Sequence, residues 1–185
     1  MILRISLILV YLFSSMKISL ADDIPIIVIA PSKINQSYST VGTSVTSLSN
    51  KEIQENGKFF LGEVLNDSLP GMNYFRSGGY GTISGIQLRG LPKRYSTVYI
   101  DGVKMSDPSS SDNSFYFSNI MTSSIDKVEI LRGSNSSIYG SGAIGGTINI
   151  TTKKGEPGLQ KNMQYNNASH GTHNLSLGLS GADEA

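Results

Sequence analysis

Few side chains in this sequence have the type and spacing that chemistry needs. Gly140, Gly142 and Gly145, in the run GSGAIG, make a formal G-x-G-x-x-G. As a dinucleotide cradle the pattern requires a helix N-terminus after it and a carboxylate about 20 residues on, at the ribose. Here the glycines lead through Gly146 into TINITT, whose β-branched residues predict a strand, so no helix end faces a phosphate. A tight, backbone-exposed turn fits Gly140, Gly142, Gly145 and Gly146 better. His170 and His173 are spaced H-x-x-H, which does not align two imidazoles on a strand face, and they lack a third ligand. Asp126 and Glu129 fall on opposite faces of a strand, against a paired acid/base site. The chain has no Cys, which removes disulfides, thiol nucleophiles and Cys-based zinc sites, and its serines lack a neighbouring His. Neither catalysis nor a metal nor a cofactor is expected. Arg89 and Arg132 differ, because each ends a strand and precedes a glycine, in QLRG and ILRG. Two guanidiniums so placed can fork onto carboxylates or simply face solvent, and the only evident acid nearby is Glu129.

The elements that would position these residues are short. After Asp22 and Asp23 comes the apolar run Ile24 to Ala30, with Pro25 inside it and Pro31 closing it. The prolines forbid a helix and leave an extended segment that can pair with another strand, or serve as an edge strand of the chain's own sheet. Val41 to Leu48 alternates like a strand, and Ser49 to Glu52 reads as an S-x-x-E capping box that starts a helix ending near Gly57. A second helix is expected from about Phe59 to Asn66, with Phe60, Leu61, Val64 and Leu65 on one face. The stretch from Met72 through Gly85 holds four glycines together with Asn73, Tyr74, Phe75, Arg76 and Tyr80, and that density reads as an exposed loop. Strands are expected at Ile86–Arg89 and Thr97–Ile100, with a hairpin turn at Asp101–Gly102 returning through Val103–Met105. Residues 106–118 form a second polar loop, and Asp126–Leu131 and Thr147–Thr152 are further strands. Beyond them, MQYNNASH and NLSLGLSG alternate weakly, as membrane β-strands and soluble edge strands both do.

Residues 1–21 have a single early positive charge at Arg4, an apolar run from Ile5 to Phe13 and small residues at Ser19 and Ala21, which predicts an export signal cleaved after Ala21. Its loss takes Arg4 and Lys17 from a net charge of +1 and leaves −1. With only 16% charged residues, no electrostatic footprint of nucleic-acid binding is present. At 185 residues and 38% hydrophobic, the chain allows one modest domain with a thin core.

Taken in order, IPIIVIA at 24–30, LNDSLPGM at 65–72, IQLRG at 86–90, VYIDGV at 98–103 and IDKVEILRGSNSSIYGSGAIGGTINITTKK at 125–154 resemble the plug domain of TonB-dependent outer-membrane receptors. The resemblance covers nearly everything from 24 to about 154, and the last block is its most specific part. It implies an α/β (α+β) plug with a small mixed β-sheet, two or three short helices and long loops, seated in a barrel of about 22 strands. It implies a domain order of signal peptide at 1–21, TonB box and linker at 22–33, plug at 34–154, and the first one to three strands of a barrel at 155–185. The energy-transducing partner TonB would pair by strand addition with Ile24, Pro25, Ile26, Ile27, Val28, Ile29 and Ala30. The ligand would be a scarce nutrient chelate of the siderophore, haem or cobalamin kind. Asn73, Tyr74, Phe75, Arg76 and Tyr80 would face it from one loop, and Ser106, Asp107, Asn113, Phe115 and Tyr116 from the other. Arg89 and Arg132 match the arginines that pair with barrel glutamates in such receptors.

Length departs from that family. Some 220 residues, at roughly ten per strand, are needed for the strands alone, whereas 33 follow Thr152. A truncated gene, an incomplete gene model and a stand-alone plug are the three readings, and an open set of strands does not span a membrane. The expectation is therefore the plug region of an outer-membrane uptake receptor, not competent for transport alone. The alternative is a soluble periplasmic ligand-binding module without a pore.

Overall fold

Alternating apolar and small residues, broken by glycine turns, dictate short strands in this chain, and five of them gather into one sheet. The computed structural model describes residues 27–29, 34–37, 39, 41–169 and 171–182. The expected signal at 1–21 lies outside the described residues, as do Ile24, Pro25, Ile26, Ala30 and His170.

Two short strands open the described chain, β1 (Ile27–Val28) and β2 (Gln36–Ser37), paired antiparallel with each other. The central sheet is built from β3 (Ser44–Ser49), β6 (Ser96–Ile100), β7 (Val103–Met105), β8 (Ile125–Arg132) and β9 (Gly146–Thr152). Its order is β3-β8-β9-β6-β7, with only β6 and β9 parallel. The hairpin of β4 (Met72–Arg76) and β5 (Ser84–Leu88) packs beside it. Last comes the hairpin of β10 (Gln160–Ala168) and β11 (Thr172–Ser180).

The expected capping box is present. Ser49 caps helix α1 (Asn50–Glu55): its side chain accepts the Glu52 N–H, while the Glu52 carboxylate accepts the Ser49 N–H at 2.7 Å. The Ser49 hydroxyl also donates to that carboxylate at 2.7 Å, and this bond first, then the one from the Ser49 N–H, holds the Glu52 carboxyl below its ordinary pKa. Helix α2 (Leu61–Ser68) starts two residues later than its pattern suggests. The reason is that Phe60 is drawn into a bridge with Met121, which keeps it extended as the N-cap. Helix α3 (Ser136–Tyr139) is one turn.

Because strand side chains alternate, the sheet buries two different faces. Leu48, Val98, Val128, Ile130, Ile148 and Ile150 point to one face, packed against Ile53, Leu61, Val64, Leu65 and Phe117. On the opposite face Val45 and Leu131 meet Val28, Tyr139 and Ala143.

Two sequence expectations change. Residues 72–76 are strand β4 rather than loop, since pairing with β5 overrides the local turn signal, so Asn73, Tyr74, Phe75 and Arg76 stand on a strand and only 77–83 connect. Gly146 is the first residue of β9 rather than part of a turn. A Cβ there would sit 2.5 Å from the Leu131 carbonyl oxygen, at φ 153°, so glycine is what lets β9 close against β8.

Candidate functional site

Two regions collect the residues singled out from the sequence. The first is the N-terminal segment. Val28 is wholly buried against Val45, Leu131, Tyr139 and Ala143, a burial that contributes about 1.5–3 kcal/mol. The next residue, Ile29, donates its backbone N–H to both carboxylate oxygens of Glu129, at 3.1 and 3.0 Å. Glu129 sits in the middle of β8 with no exposed surface, and Lys127, two residues back on the same face, forms an ion pair with it. A cavity of about 580 Å³ adjoins the segment, lined among others by Ile29, Tyr99, Asp101, Tyr139 and Lys154. The rings of Tyr99 and Tyr139 meet edge to face at 5.0 Å, and burial, with Tyr99 and Glu129 nearby, pushes the Tyr139 hydroxyl up to about 12. Asp101 and Gly102 take left-handed conformations, φ 50° and 82°, as the expected hairpin turn requires. The Asp101 carboxylate accepts the Thr152 hydroxyl at 2.7 Å and the Thr152 N–H at 2.9 Å, which lowers its pKa, the hydroxyl contributing most. Asp101 is therefore tied into the fold.

The second region joins the two expected ligand loops. The Phe117 N–H donates to the Ser84 carbonyl, and the Ser118 hydroxyl donates to that of Thr82 at 2.7 Å. Between them Lys93 pairs with Asp112 at 3.2 Å and lies over the Tyr116 ring at 4.3 Å. Hydrogen bonds from Ser114 foremost, then from Ser110 and Lys93, hold the Asp112 carboxyl down to about 2. Asp107 is likewise lowered, first by the Ser109 hydroxyl. Asn73, Arg76, Tyr80, Ser106 and Asn113 are exposed here. Others are turned inward: Tyr74 covers Gly62, Phe75 covers Gly85, and Phe115 packs on the core beside Phe117. Arg76 pairs with Glu63 at 3.0 Å and stacks on Tyr80, whose other neighbour is Phe60.

The strand-end arginines are not brought together with a carboxylate. Arg89 is exposed with φ 52°, Arg132 is half-buried, and among the described residues neither forms an ion pair. Glu129 is unavailable to Arg132, since three residues along a strand place them on opposite faces. Gly140 turns the chain at φ 87°, while Gly142 and Gly145 lie close beneath Thr97 and Leu91. The GSGAIG run is thus a turn that packs on its neighbours, with Gly145 buried rather than backbone-exposed.

A family model, the TonB-dependent receptor plug domain, matches residues 37–147. The chain belongs to that family. The plug fold also resembles solved receptors. The ferric yersiniabactin uptake receptor of Yersinia pestis superposes with a TM-score of 0.61 at 27% identity, over 78% of this chain and 22% of that one. The ferripyoverdine receptor of the outer membrane of Pseudomonas aeruginosa gives 0.65 at 20%, over 85% and 20%. BauA, the ferric preacinetobactin receptor of Acinetobacter baumannii, gives 0.62 at 19%, over 78% and 21%. The plug chain therefore spans about a fifth of the length of these receptors, all of which are named for uptake or binding of siderophores rather than for catalysis. What sequence reasoning missed in the plug is the pair Lys93 and Asp112, which fastens the 106–118 loop to the turn between β5 and β6, and the engagement of Glu129 with the segment. A lone carboxylate inside the apolar run VEIL was the available signal for the latter.

Proposed function

We propose that this chain is the plug of an outer-membrane receptor for active uptake of a scarce nutrient chelate, of the siderophore-iron, haem or cobalamin kind. The observation that carries the reading is the plug-family match over 37–147, with an extended apolar segment directly before it. In this reading Ile24 to Ala30 receive a strand from TonB, and the chelate meets the joined loops through Tyr80, Arg76, Asn73, Ser106 and Asn113. Inward-turned Tyr74, Phe75 and Phe115 act as supports for that surface, with Asp107 and Tyr116 shaping its edges. Arg89 and Arg132, without carboxylate partners among the described residues, are suited to glutamates of an enclosing wall.

The β10–β11 hairpin supports an outer-membrane setting. Met163, Tyr165, Leu175, Leu177 and Leu179 share one face, 57–77% exposed, whereas Gln164, Asn166, Thr172, Asn174 and Ser176 on the other face are partly covered. Apolar outside and polar inside is the alternation of a barrel wall in lipid.

Titration of the periplasmic domain of TonB with a peptide of residues 22–33 tests the partner. Binding is expected, with loss on Val28→Pro because proline removes a backbone donor from the pairing strand. No binding, or an unchanged affinity for the proline peptide, sinks the assignment.

A further inference from the structure

We propose that the ligand of this plug is a chelate without net negative charge, its exterior made of rings and of amides or hydroxyls, rather than an anionic one. The inference rests on the reading of the chain as the plug of an uptake receptor and adds the charge class of what is taken up. The loops at 77–83 and 106–118 contain two carboxylates, Asp107 and Asp112, and no Lys or Arg. The cations that reach this surface from elsewhere are already engaged. Lys93 pairs with Asp112 at 3.2 Å, Arg76 with Glu63 at 3.0 Å and Lys58 with Asp67 at 3.4 Å. Asp107 forms no ion pair among the described residues, and the N–H and hydroxyl of Ser109 both donate to its carboxylate, which favours the ionised form. Three cations thus stand against four carboxylates, and the surface carries one net negative charge. An anionic chelate would have to draw Arg76 or Lys93 away from a carboxylate that then loses its partner.

What the surface offers instead is uncharged. Tyr80 and Ile83 are 65% and 56% exposed. Beside Tyr80 a cavity of about 740 Å³ opens between the plug and the β10–β11 hairpin, within the range of roughly 300–1,000 Å³ usual for small-ligand sites. Phe59, Phe60 and Tyr80 line it from the plug, and Asn166, Thr172 and Asn174 from the hairpin. The two charged residues on its wall, Lys58 and Glu63, belong to the ion pairs just described. Aromatic side chains take rings and methylenes, and amides both donate and accept. Such a lining suits a neutral, amide-rich exterior and gives an anion no compensating charge.

Equilibrium dialysis of the whole chain in detergent micelles against two iron chelates tests this. One is a neutral iron(III) complex of a cyclic-peptide trihydroxamate, the other a trianionic iron(III) tris-catecholate. The neutral complex should bind at least about tenfold tighter. A trianion that binds equally well or better overturns the inference and leaves the uptake reading standing, whereas failure of both complexes to bind removes the uptake reading and the inference with it. Asp107→Asn, which keeps an acceptor for Ser109 and removes the unpaired charge, should narrow the preference several-fold, and more at low ionic strength than at high. An unchanged ratio counts against charge as its cause. Tyr80→Ser should weaken the neutral complex about threefold or more, and an unchanged affinity overturns the part given to the cavity.

Discussion

Single residues in this protein are held by causes of different reach. Gly140 and Gly146 both stand in the GSGAIGG run, and from sequence both look like turn glycines. Only Gly140 is one, with open space where a Cβ would go and φ 87°, ψ 175°, so Gly140→Ala should cost about 1–3 kcal/mol for the positive-φ, extended backbone alone. Gly146→Ala must in addition push the Leu131 carbonyl aside, and should cost on the order of 3 kcal/mol or more. Urea denaturation of the two variants checks this, and equal costs would show that close approach is not what fixes Gly146. The difference was illegible in the sequence because it depends on a neighbour fifteen positions away across the β8–β9 pair. Glu129 was hidden for the same reason. Its acid lay in plain view near Arg132, but the pleat gives it to Lys127 and to a segment a hundred residues earlier.

At the scale of elements, what was local was legible. The Ser49–Glu52 capping box is written in four consecutive residues, and it forms as expected. Ser49→Ala should lower stability by about 1 kcal/mol, read as a shift of the urea midpoint at unchanged slope. A negligible shift would mean that the bonds from Asn50 and Gln54 to the carbonyls of Ile125 and Thr122 anchor the helix by themselves. The Asp101–Gly102 turn was equally readable, because two left-handed residues in sequence admit few types. Strand β4 was not. Its residues MNYFR carry no clear alternation, and it is a strand because β5 pairs with it residue for residue from Met72 with Leu88 to Arg76 with Ser84. That pairing turns two of the expected ligand contacts, Tyr74 and Phe75, into packing residues. The end of α2 was clear from Pro70 and Gly71, whereas its start depends on Phe60 meeting Met121.

For the whole molecule, the family and its sheet were legible because their motifs are contiguous, while the relation of the segment and the hairpin to the plug was not. The hairpin's five-residue apolar row should bind the mature chain to lipid vesicles or detergent micelles. Deleting 159–182 should abolish that binding and leave the plug's thermal melt within about 1 kcal/mol, since the plug's core residues all lie before the hairpin. A melt that collapses on deletion would show that the hairpin's polar face belongs to the core. The strand order carries a consequence for biosynthesis. The central strands β8 and β9 come last in the plug, while β3 and the β6–β7 pair, made earlier, border them. A ribosome makes the chain from its N-terminus, so β3 waits for a partner until Arg132 exists, and the β6–β7 pair waits for its second neighbour until Thr152 does. The nascent polypeptide cannot zip its sheet progressively and must travel as an unfolded client through most of its synthesis, completing the fold in a single late step when its innermost strand arrives.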